Sequence, residues 1–112
     1  MLPAPRLALV LAVALASALP AAAQGPSPEE KAVMEAQILC VQRAIGRLDD
    51  KRSDASTIAR GALAMCGSEL DRMVRVWTRD MPPAAAQREA LGAQRYAQEW
   101  AITEVLRQRT GR

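Results

Sequence analysis

The sequence predicts an all-α domain, a small antiparallel three-helix bundle, on three observations. Apolar residues recur at alternating spacings of three and four in three separate stretches, the signature of one buried face on a helix. No stretch alternates with the period of two that a half-buried strand requires, and the chain has no phenylalanine. Two breaks, "DDKRSDAST" and "RDMPPAAAQ", separate the three stretches.

The first helix is expected over 28–48. Ser27, Pro28 and Glu30 form its start signal: a capping serine, a proline suited to the first turn, and a glutamate three residues after the cap. Met34, Ile38, Val41, Ile45 and Leu48 form its apolar stripe. The second helix is expected over 55–78, capped by Asp54 or Ser53, with Ala59, Leu63, Cys66, Leu70, Met73 and Trp77 on one face. Gly67-Ser68 offers a place where that helix could break, with Ser68 as a new cap. Pro82 and Pro83 end the pattern, because proline lacks a donor and disfavours helix in the residue before it. The third helix is expected over 83–108, with Ala86, Ala90, Ala93, Ala97 and Trp100 on one stripe.

Before these helices lies "MLPAPRLALVLAVALASALPAAAQGP". A single base, Arg6, precedes an apolar run from Leu7 to Leu19, and Pro20 stops it. Ala21 and Ala23 then supply the small residues of a cleavage site. This is the layout of a secretory signal peptide over 1–23, too short in its apolar part for a spanning helix, which needs roughly 20 residues. The mature domain would be 24–112, with no transmembrane segment, in the periplasm or secreted. Its charge would fall by the one base lost from the whole chain's +3. So weak an excess, with two tryptophans and one tyrosine, does not make a nucleic-acid surface.

Cys40 and Cys66 are the only cysteines, and Ser53 lies midway between them. If the first two helices fold back about Ser53, the cysteines stand at one height, as a disulfide's roughly 4–7 Å Cα separation demands. An exported chain with an even cysteine count favours that staple. The alternative is a soft-metal or thiol-redox protein using Cys40 and Cys66, with Met65 and Met73 as further soft donors. Redox pairs are usually closely spaced, as in C-x-x-C, and these are not.

Histidine is absent, which removes the commonest general base and zinc ligand. Neither Glu69 with Asp71 nor Glu99 with Glu104 has the spacing to share a helix face. The three aspartates of "DDKRSDAST" lack the glycine and alternate oxygen ligands of a calcium loop. No catalytic residue, cofactor or metal site is therefore expected. Arg72, Arg75 and Arg79 follow one face near the end of the second helix, a partner-binding stripe or an ordinary helix-terminus effect. Gly61, Gly67 and Gly92 cost helix stability and need a reason. In a second hairpin, Gly61 and Ala62 would face Trp100, and Cys66 and Gly67 would face Tyr96. A groove with an exposed tryptophan is the other explanation.

The layout of leader, one-cysteine helix, polar loop and "IARGALAMCGSELDRM" resembles small exported two-cysteine helical proteins of Gram-negative bacteria. The resemblance names no family and carries over no functional residues. The function expected is a non-enzymatic binding or interaction module of the cell envelope. Its partner would be another protein or an envelope component, with homodimerisation a further expectation.

Overall fold

The computed structural model describes residues 25–111, so the signal peptide expected over 1–23 lies outside the described residues. Among these there are four helices and no strand: α1 (Pro28–Leu48), α2 (Ala55–Met65), α3 (Gly67–Trp77) and α4 (Pro83–Arg109). The all-α class stands, but the second expected helix is two. Cys66 takes φ −105° and ψ 21°, closing α2 and opening α3. Its carbonyl still accepts from the Leu70 N–H at 3.2 Å, so the chain bends without losing that bond. Ser68 does not cap the new helix; its hydroxyl bonds the Glu69 carboxylate instead.

The start of α1 follows its signal. The Ser27 hydroxyl accepts from the Glu30 N–H at 3.1 Å, and the Glu30 carboxylate accepts from the Ser27 N–H. Asp54 occupies the cap position of α2, but its side chain makes no capping bond there. It takes a bond from the Ser56 hydroxyl.

The core gathers Val41, Ala44 and Ile45 of α1, Ile58, Ala59 and Ala62 of α2, and Ala101 and Val105 of α4, with Cys66 at the bend. Alanines let these helices approach closely, and the larger aliphatic side chains come from α1 (Val41, Ile45), α2 (Ile58) and α4 (Val105). The bend divides the labour. α2 packs on α4 and α1, whereas α3 packs chiefly on α1 and touches α4 only lightly. No residue of α3 is fully buried, nor is any of α4 before Ala97.

Two ionic clamps hold the ends. Arg109 at the end of α4 donates to the Asp49 carboxylate at 2.8 Å and to the Ser53 carbonyl at 2.7 Å, pinning the first loop. Arg79, just past α3, donates both terminal nitrogens to Glu29 in the first turn of α1.

The Cys40 and Cys66 Sγ atoms lie 2.06 Å apart, with a Cα separation of 5.9 Å. The pair therefore stands at disulfide distance, and it joins α1 to the bend itself. No helix among the described residues is long and apolar enough to cross a membrane.

Candidate functional site

Because α3 leaves α4 at the bend, a gap opens between α3 and the first half of α4, floored by α1. It is a groove of about 340 Å³, within the range of sites that take small ligands. α1 supplies Met34, Gln37 and Ile38; α3 supplies Met73, Val74 and Trp77. From α4 come Glu89, Ala93, Tyr96 and Trp100, spaced 4, 3 and 4 apart, so one helical face forms the wall. Both tryptophans of the chain line it. Tyr96 is 70% exposed and Trp77 38%, a large amount of aromatic surface to leave in water.

Two polar features stand out against these apolar walls. Gln37 is only 5% exposed, and its Nε2 donates to nothing. A buried donor without an acceptor costs about 1–3 kcal/mol. Glu89 is the one charged side chain in the lining. The α4 positions one turn away from it, Ala85, Ala86, Gly92 and Ala93, are uncharged.

The sequence pattern located part of this. Of the two explanations for the helix glycines, Gly92 fits the groove with an exposed tryptophan: a Cβ there would meet nothing within 4 Å. The packing explanation fails where it was specific. Gly61 faces the Leu48 side chain, at 3.3 Å from an added Cβ, and not Trp100. Gly67 faces open space, and Tyr96 points outward. The straight hairpin register assumed a continuous second helix, and the bend at Cys66 removes it. Gln37 was missed entirely because a glutamine interrupts the pattern of Val33 and Val41, its buried neighbours on α1.

On the opposite side of α1, Cys40, Cys66 and Glu69 place one ligand atom each within 4.8 Å of one another. Joined as a disulfide the two sulfurs offer no thiolate; only in the reduced form would they be donors beside Glu69. Met65 lies beside this pair, but Met73 lines the groove, so the soft donors considered from sequence do not converge. Arg72 joins Arg43 and Arg47 in the same shallow hollow as the cysteines. Arg79 is committed to Glu29, and its hydrogen bond holds that carboxyl below the usual range. Arg72 and Arg79 thus have different surroundings, and Arg75 between them is exposed.

Of the two carboxylate pairs considered from sequence, Glu99 and Glu104 have different surroundings. Glu104 is buried while Glu99 is exposed. The Glu104 carboxyl is held below its ordinary range, first by the Arg107 hydrogen bond and against the effect of burial. Glu104 also accepts from Gln108, which in turn donates to the Gln42 carbonyl at 3.1 Å. This is a structural tie between α4 and α1, not a poised acid. In comparisons with known proteins, no family model matches the chain, and no curated protein or solved structure matches it significantly.

Proposed function

We propose that this chain is an exported, non-catalytic binding protein of the cell envelope, and that the groove between α3 and α4 is where it binds. The single observation carrying the proposal is the groove itself, with Trp77 and Tyr96 left exposed beside half-buried methionines and an unsatisfied buried amide. Folding alone gives no return for that arrangement, since exposed apolar surface and orphaned donors both cost stability. An occupant removes both costs at once. The pairing of Cys40 with Cys66 supports export to an oxidising compartment. The thin alanine core supports a structural role for that bond.

The test uses N-phenyl-1-naphthylamine, a neutral apolar fluorophore, with the purified protein. Saturable one-to-one binding is expected, with energy transfer from Trp77 and Trp100. Gly92→Leu fills the groove from a position where a side chain meets open space. It should abolish binding while leaving the unfolding transition in place. Binding that ignores Gly92→Leu, or no binding at all, would refute the proposal.

A further inference from the structure

The groove also carries information about the class of molecule it takes. Resting on the reading of the groove as the binding site, we infer that its occupant is an elongated apolar cation: a chain-like apolar body carrying an ammonium or guanidinium head, lying along α4 with the head at Glu89.

Three observations carry this. First, the α4 wall is long and narrow. Glu89 and Trp100 are eleven residues apart on one helical face, about 16 Å at the helical rise of 1.5 Å per residue. Second, the charge along that wall is confined to one end. Glu89 stands at the end away from the core, and neither α1 nor α3 contributes a base to the lining. Elsewhere Glu29, Asp49 and Glu104 each hold an arginine, while Glu89 has no hydrogen bond or ion pair among the described residues. Third, the rest of the wall is aromatic and aliphatic, with Tyr96 two turns from Glu89 and Trp100 three. Aromatic faces attract cations and repel anions, so the rings and the carboxylate favour the same sign of charge. An anionic amphiphile would have to place its head against Glu89 or carry it unpaired along apolar walls, which is costly.

The experiment compares three probes with one dodecyl chain and different heads: dodecyltrimethylammonium, dodecyl maltoside and dodecyl sulfate. Each is titrated below its micellar concentration, at low ionic strength, with tryptophan emission as the readout. The cation should bind about two- to fivefold more tightly than the maltoside, the gain expected of one solvent-accessible ion pair, and the sulfate more weakly than both. Glu89→Gln should erase the cation's advantage over the maltoside. Added salt should shrink the difference towards the Glu89→Gln value. If all three bind alike, or the sulfate binds best, in a manner still blocked by Gly92→Leu, the inference falls and the groove remains the site. If none binds, or Gly92→Leu has no effect, both fall together.

Discussion

The bond between Cys40 and Cys66 gives the sharpest stability prediction, because its two ends differ in burial. The sequence separation it closes is 26 residues, and the chain-entropy model assigns such a loop about 3.5 kcal/mol. Cys40→Ala should cost about that much, because Cys40 is only partly buried. Cys66 is 1% exposed at the centre of the core. Cys66→Ala therefore also leaves a small void, adding about 1 kcal/mol by the usual value of one buried heavy-atom group. The double variant loses the same bond once, so it should resemble Cys66→Ala alone, near 4.5 kcal/mol. Independent losses would instead sum to about 8 kcal/mol. Urea unfolding followed by tryptophan emission, without reductant, separates these outcomes. Dithiothreitol should reproduce the Cys40→Ala loss in the parent protein and leave the double variant unmoved. Additive losses, or a parent protein indifferent to reductant, would refute the reasoning.

Three further predictions follow from single contacts. Gln37→Met removes the buried amide that donates to nothing and should raise stability by about 1 kcal/mol; a loss in urea unfolding would mean that the amide is satisfied in solution. Glu29, Asp49, Asp50 and Glu104 all have carboxyls held low, Asp50 at about 2 by the Ser53 hydroxyl and backbone bonds. A depressed carboxyl stabilises the fold above its unfolded value, and that stabilisation is lost as pH falls through the folded one. The melting temperature should thus hold down to the ordinary carboxylate range and then fall towards about pH 2; a profile flat through that window would contradict the clamps. Ser27→Ala should cost about 1 kcal/mol through the loss of the cap at α1, read as a lower urea midpoint with unchanged slope.

How far the fold could be read in advance follows from what each signal depends on. The bounds of α1 were legible because a capping box and a polar loop are local devices, and both act within a few residues. The cysteine pairing was legible from symmetry about Ser53, since α1 and α2 do fold back there. The bend was harder. Gly67 marked a weak point, but whether a helix bends there depends on what each half packs against, and no local pattern records that α3 follows α1 while α2 follows α4. The groove inherits that difficulty, because it exists only where α3 and α4 part. The spacing puts Trp77 and Trp100 on apolar stripes. Trp100 does pack against the core while also lining the groove, whereas Trp77 stays 38% exposed, since the same spacing equally builds a wall facing water. Gln37 broke the pattern that would have revealed its burial.

Helix α4 is one continuous element, yet its two halves live under different conditions. From Ala97 onward it is anchored by core contacts, by Gln108 and by the Arg109 clamp. From Pro83 to Tyr96 no side chain is fully buried. Amide exchange along the helix should therefore run as a gradient, fast from Pro83 to Tyr96 and slow beyond Ala97, because opening free energy tracks local burial. The wall that carries Glu89 and Tyr96 lies on the fast side. The groove is therefore bounded by a well-protected floor on α1 and by the less protected half of α4, so ligand binding should slow exchange there first.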